Sequence, residues 1–225
     1  MRISNLTKSF PNFSLDWQKD MYFDKKIYGI IGANGCGKTT FMKMLAGLIK
    51  PDSGEIDYGD LTQQDVTMIF RKPYMMHDTV YRNLIYPLSV RNIQPDKDKV
   101  EYYLELAGLS DKRDQYAPSL SGGEQQKLSF IRALIFSPKV VLIDEAFSNM
   151  DIESVTMFEN YILESQKESQ RTWIVISHQF SNIKRLCEFL FFMHKGRVEA
   201  DGPTSEVLFS PENPNLQKYL HFQAL

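Results

Sequence analysis

"KKIYGIIGANGCGKTTFMKMLAGLI", Lys25 to Ile49, decides the architecture. KKIYGIIG is a short apolar run closed by glycine, the pattern of a buried strand. TTFMKMLAGLI spaces its apolar residues as one face of a helix, with Pro51 and Gly54 following to stop it. Between them GANGCGKTT, Gly32 to Thr40, fits G-x-x-x-x-G-K-[ST] in the strand-then-helix setting that motif requires. Gly32, Gly35 and Gly37, with Asn34 and Cys36 between them, let the backbone curl so that consecutive N–H groups converge on phosphate oxygens. Lys38 reaches the β- and γ-phosphates, the Thr39 hydroxyl suits Mg²⁺, and Thr40 adds a donor to the α-phosphate. Cys36 has two readings: a small filler, or a reactive thiol whose thiolate the loop N–H groups and Lys38 favour.

Downstream, KVVLIDEAF is a near-continuous apolar strand ending in Asp144 and Glu145, as expected inside a parallel sheet covered on both faces. The strand tip delivers both acids to the ligand edge of the sheet. Asp144 suits the Mg²⁺ shell, and Glu145 suits a general base or an anchor for the water that attacks the γ-phosphate. RTWIVISH is another buried strand and places His178 at the same edge, within reach of a γ-phosphate. DVTMIF reads as a strand. Asp96–Leu109, Ser121–Ile135 and Met157–Gln166 read as helices. LFFMHKGRVEADG reads as a hairpin turning at Lys195–Gly196. Strands cluster toward both ends and helices fill the middle. The expected fold is therefore α/β with a mostly parallel sheet, one domain over 1–225. Its nucleotide-binding core is 1–70 and 136–225, and a helical subdomain occupies 71–135.

The composition of the 225 residues excludes several classes. A hydrophobic fraction of 43% supplies a core, and a net charge of −2 gives no polybasic surface for nucleic acid. The longest apolar runs, VVLI and FLFFM, fall far short of the ~18 residues of a membrane span. MRISNLTKSF lacks the apolar segment of a signal peptide. Two cysteines are too few for a disulfide framework, so a reducing cytoplasm is expected.

A second glycine pair stands in SLSGGEQQKLSF, Ser119 to Phe130, ahead of a helix and without a lysine. GANGCGKTT, LSGGEQQKLSFIRAL, VVLIDEAFSNMD and ISH occur in that order, and with them the chain resembles the ATP-binding subunits of ABC transporters. The resemblance covers essentially the whole chain, and the LSGGE-type signature is its most specific part. It implies the ABC ATPase fold, with an N-terminal antiparallel β part and the helical signature subdomain, and ATP with Mg²⁺ as ligands. It implies two copies facing head-to-tail, so that Ser121, Gly122 and Gly123 cap the γ-phosphate of ATP held by the opposite copy. Asp151 resembles the acid that touches the other subunit, although Asn149 and Met150 replace a small residue and a leucine. Phe10 matches the adenine-stacking aromatic, with Phe13 second. The same resemblance implies integral membrane permease subunits, an extracytoplasmic solute-binding protein, and a place at the cytoplasmic face of the membrane. No fused membrane domain or long C-terminal domain is read, so a separate prokaryotic importer subunit is expected. RKPYMMHDTVYRNLIYPL has some likeness to ATPases of tungstate and molybdate importers.

One position departs from the pattern. In MIFRKPYMMH, Arg71 stands where the family carries glutamine. Arginine has no lone pair to offer a metal. The expectation is that Arg71 pairs with phosphate oxygens or an acid on the mobile loop, or else points to solvent. The Met- and Tyr-rich segment after it, with Tyr81, is expected to form the coupling groove for a short helix of a membrane subunit. Two other classes stay open: a non-transport ABC ATPase acting on soluble partners, and an ATP-binding switch with little turnover.

Overall fold

The structure is a computed structural model and describes residues 1–169 and 171–223. In chain order the elements are β1 (Arg2–Phe10), β2 (Phe13–Trp17), β3 (Met21–Tyr22), β4 (Ile27–Ile31), α1 (Lys38–Leu45), β5 (Ser53–Asp57), β6 (Val66–Ile69), α2 (Val80–Val90), α3 (Lys97–Leu106), α4 (Gly122–Leu134), β7 (Val140–Asp144), α5 (Ile152–Ser169), β8 (Thr172–Ile176), α6 (Phe180–Leu186), β9 (Phe189–His194), β10 (Arg197–Pro203), α7 (Thr204–Phe209) and α8 (Pro214–Gln223).

The main sheet runs β10-β9-β4-β8-β7-β6. Its pairs are parallel except β9–β10, whose turn is Lys195–Gly196 with both residues at positive φ. That turn chemistry matches the right-handed twist of a hairpin. A smaller antiparallel sheet is built on β1, which pairs with β2, β3 and β5.

The continuous apolar runs follow from the layering. Successive residues of β4, β7 and β8 alternate between two cores. Tyr28, Ile30, Leu142 and Ile174 pack with α1 and the antiparallel sheet. Ile31, Val141, Ile143 and Val175 pack with the helices between β6 and β7, and with α5. A strand covered on both faces has no polar side to show. Val80, Leu84, Leu104 and Leu128 of the inserted helices belong to that second core, so the insert shares its apolar contacts with the sheet.

The α/β architecture, the parallel sheet and the N-terminal antiparallel part agree with the sequence reading. Several boundaries differ; the helix read as Met157–Gln166 spans Ile152–Ser169, and that read as Asp96–Leu109 spans Lys97–Leu106. Helix α1 ends at Leu45, before Pro51, because Gly47 at φ +69° turns the chain out and Leu48 N–H returns to Lys43 O. Among the described residues, no helix is long and apolar enough to cross a membrane.

Candidate active site

Strand β4 delivers the chain to Gly32, whose φ is +148°; a Cβ there would lie 2.2 Å from Met193 O. Gly37, the N-cap of α1 at φ +108°, is backed by the Phe13 ring 2.8 Å from where a Cβ would be. Only glycine fits both positions, and the loop between them is held as a cradle of backbone N–H groups. Lys38 is buried and its Nζ donates to Gly32 O at 2.7 Å and Ala33 O at 3.1 Å. The cavity above the loop, about 340 Å³, is lined by Asn34, Lys38, Thr39 and Thr40, and also by Phe13, Arg71 and Glu145. A wider hollow of about 830 Å³ lies near the N-terminal ends of β4 and β8, among Met1, Lys25, Asp57 and Lys167, and carries none of the motifs.

The parallel register of β7 with β8 sets the acids against the loop. Thr39 Oγ1 donates to both carboxylate oxygens of Asp144, at 3.1 and 2.9 Å. Burial pushes the Asp144 carboxyl up, and the Thr39 hydroxyl partly offsets this. Hydroxyl and carboxylate are hard oxygen donors of the kind Mg²⁺ takes alongside phosphate and water. Among the described residues no group of three His, Cys, Asp or Glu could hold a metal. The donor set therefore fits a cation shared with phosphates rather than a cage of side chains.

Glu145 follows on left-handed backbone, φ +51°. Its N–H donates to Ile176 O at 3.0 Å, and Ser148 Oγ donates to its carbonyl at 2.9 Å. Each oxygen of its carboxylate has a nitrogen close by. His178 Nε2 lies 2.8 Å from Oε1, and Arg71 Nη1 lies 3.1 Å from Oε2. Arg71 thus pairs with an acid, but with the one at the tip of β7 and not, as the sequence reading had it, with an acid on the mobile loop.

The signature lies apart from this cavity. Ser121 caps α4 in a capping box, with Glu124 Oε2 accepting from Ser121 N and Oγ at 2.9 and 2.8 Å. Lys112 pairs with Glu124 and, with the Ser121 bonds, holds its carboxyl down at about 2. Ser121 and Gly122 are exposed, and a Cβ on Gly122 would meet nothing within 4 Å. The first N–H groups of α4 have no intrahelical partners. Gly123 sits beside Asn149 O, so the signature and the segment before Asp151 share one surface. Asp151 accepts from Ser154 N and Oγ at 2.8 and 3.0 Å and caps α5; these bonds lower its carboxyl.

Other expected residues are redistributed. Phe13 lines the phosphate-loop cavity and Phe10 does not; Phe10 is 41% exposed and stacks on Phe13 with centroids 6.3 Å apart. Cys36 is buried, and burial pushes its thiol up despite Lys38, which favours the small-filler reading. Tyr81 is half-buried in the insert. Its N–H donates to Arg113 O and its ring lies under the Arg113 guanidinium at 4.4 Å. An exposed apolar groove, about 300 Å³, is lined by Tyr74, Tyr86, Val90 and Phe136.

Sequence reading missed two contacts. Gln126, fully buried on α4, donates from Nε2 to Phe70 O at 3.0 Å. Its place beside the signature was the available signal. Tyr219 of α8 packs on Phe180 and Phe192 and reaches the Gly32 backbone, which draws its hydroxyl down against the larger effect of burial. Leu216, Tyr219 and Leu220 at helical spacing marked that helix.

Residues 21–148 match the family described as "ABC transporter". The chain is similar to the tungstate uptake system ATP-binding protein TupC of Peptoclostridium acidaminophilum, 34% identical over 210 positions covering 89% of this chain and 97% of that protein. It is also similar to the methionine import ATP-binding protein MetN 4 of Oceanobacillus iheyensis, 31% identical over 241 positions, covering 98% of this chain and 70% of that one. A solved structure described as the ATP binding subunit of an ABC transporter shares the fold at a TM-score of 0.84 and 20% identity, over 100% of this chain and 99% of that one. With its phosphate loop, acids and signature in family order, this chain belongs to the ABC transporter family, as an ATP-binding chain with ATPase activity.

Proposed function

We propose that the chain is the ATP-hydrolysing subunit of an importer. Two copies pair head-to-tail and sandwich two ATP molecules between them. The observation that carries this reading is the separation of the two glycine loops. Ser121 and Gly122 are exposed at the start of α4 and do not line the chain's own phosphate-loop cavity. Free N–H groups at a helix start favour an anion, and the γ-phosphate held by a second copy meets that need.

The loop N–H groups and Lys38 hold the triphosphate. The exposed face of Phe10, backed by Phe13, offers the adenine a π-surface. Thr39 and Asp144 would hold Mg²⁺, which when bound neutralises charge on the β- and γ-phosphate oxygens. Glu145 takes the proton from the attacking water as its oxygen bonds to the γ-phosphorus and the bond to the ADP oxygen breaks. His178, at the same cavity edge, donates toward the γ-phosphate, and Asp151 meets the other copy. ATP touches both copies, so its binding favours the closed pair and its loss the open one.

The groove at Tyr74, Tyr86 and Val90 receives a short helix from an integral membrane permease. The chain therefore sits at the cytoplasmic face of the membrane through that partner, and a solute-binding protein serves the other side. The importer reading rests on two relatives named for uptake and import. Tungstate-type oxyanions are the solute class to test first, because the tungstate relative aligns over nearly its whole length.

Mixing Lys38→Ala with Ser121→Arg copies tests the composite site. Each variant alone is inactive, whereas a mixed pair keeps one intact pocket, so a random equal mixture recovers about a quarter of parent turnover. A mixture no more active than its components sinks the head-to-tail reading.

A further inference from the structure

We propose that Arg71 is a latch on Glu145, holding the carboxylate until the helix that carries the signature moves, so that hydrolysis waits for the second copy to dock. This rests on the reading of Glu145 as the base.

Arg71 Nη1 lies 3.1 Å from Glu145 Oε2, and His178 Nε2 lies 2.8 Å from Oε1. Arginine carries only donors and cannot be deprotonated in a protein. At this position it can neither ligate a metal nor accept a proton. Toward Glu145 it acts as a competitor for the carboxylate oxygens that the attacking water must use. The Arg71 side chain is 61% exposed, so the pair is screened and weak enough to open.

The two partners are anchored to different parts of the fold. Glu145 is fixed to the sheet through its N–H to Ile176 O. Arg71 lies on the segment leaving β6, which α4 grips at two points. Gln126 Nε2 donates to Phe70 O at 3.0 Å, and Arg132 Nη2 donates to Tyr74 O at 2.7 Å. Gln126 is five positions after Ser121, within the second turn of the same helix. A ligand docking at Ser121–Gly123 displaces α4, and the segment from Phe70 to Tyr74 goes with it. Arg71 is drawn off a carboxylate that stays behind.

The test is steady-state ATP turnover of the full chain across a range of chain concentrations, paired with binding of a fluorescent ATP analogue. Arg71→Gln raises kcat at low chain concentration about three- to tenfold, with KM and analogue affinity within about twofold of the parent. Arg71→Lys keeps the charge and stays near the parent. Gln126→Leu severs one tether and reduces the rise in turnover per chain with concentration, but has no such effect when Arg71 is already glutamine. Unchanged or lower kcat for Arg71→Gln overturns the latch. So does a roughly tenfold loss of analogue affinity, which would put Arg71 on the phosphates. Glu145→Gln separates the two levels. Lost turnover there with an indifferent Arg71→Gln removes the latch alone, whereas parent-like turnover removes the base assignment and the latch together.

Discussion

Thr39 Oγ1 donates to both oxygens of Asp144 and so joins the first turn of α1 to the tip of β7. Burial raises the Asp144 carboxyl above its ordinary value. A carboxyl raised on folding contributes stability below its unfolded pKa and loses it as pH rises through the folded one. At neutral pH the ionised group therefore costs stability. Asp144→Asn is expected to raise Tm by a few degrees, about what 1 kcal/mol gives a chain of this size. Turnover should fall about 100-fold or more. Thermal melts without nucleotide, set beside steady-state rates, check both signs.

Glu124 gives the opposite pH sign. Lys112 and the Ser121 bonds hold its carboxyl at about 2. A depressed carboxyl stabilises the fold above its unfolded pKa, and that contribution is lost as pH falls through the folded value. The window therefore runs from the ordinary glutamate range near 4.5 down to about 2. The group is half-buried at the surface and screened, so the loss is about 1 kcal/mol, the size of a helix cap. Acid unfolding of Glu124→Ala should show a shallower slope than the parent in that window. Glu124→Gln, which cannot titrate, should show the same shallow slope as Glu124→Ala, but it keeps an acceptor for Ser121 and so should be more stable than Ala across that window.

The groove between α2 and α4 carries the docking prediction. Tyr86→Ala and Val90→Asp alter its exposed lining and leave the phosphate loop alone. Both should keep the turnover of the isolated chain within about twofold while losing co-purification with membrane subunits. Tyr81→Ala, which removes a ring packed under Arg113, should instead lower Tm. Retained co-purification with Val90→Asp counts against the groove.

Cys36 and Cys187 are both free and buried, and burial pushes both thiols up. Thiolate is the reactive form. At neutral pH an aromatic disulfide reagent should titrate neither thiol quickly in the folded chain, and both in denaturant. A fast single equivalent blocked by ATP would restore the reactive Cys36.

The central sheet was legible because strands buried on both faces are written as unbroken apolar runs, and the phosphate loop because its residues are contiguous. Strand β1 hid its pattern. Its buried residues Ile3 and Leu6 are three apart, since the β1–β5 register shifts between Ser4 and Thr7, where Asn5 sits at φ +47°. A bulge breaks the period of two on which strand reading depends. Helix α2 was obscured by Pro87, which lies inside it and lacks the N–H a helix interior uses. The Arg71–Glu145 pair joins residues far apart in the chain, so only the departure from glutamine was visible beforehand. Spacing carries no information about which acid a long side chain will meet.

The left-handed backbone at Glu145 has a consequence for how this protein can vary. Such a conformation costs a Cβ-bearing residue about 1 kcal/mol, and glycine or asparagine far less. Glu145→Gly should therefore melt later than the parent while losing its proton acceptor. Heat tolerance and turnover pull against each other at this one position, and selection for robustness alone would erase the acid.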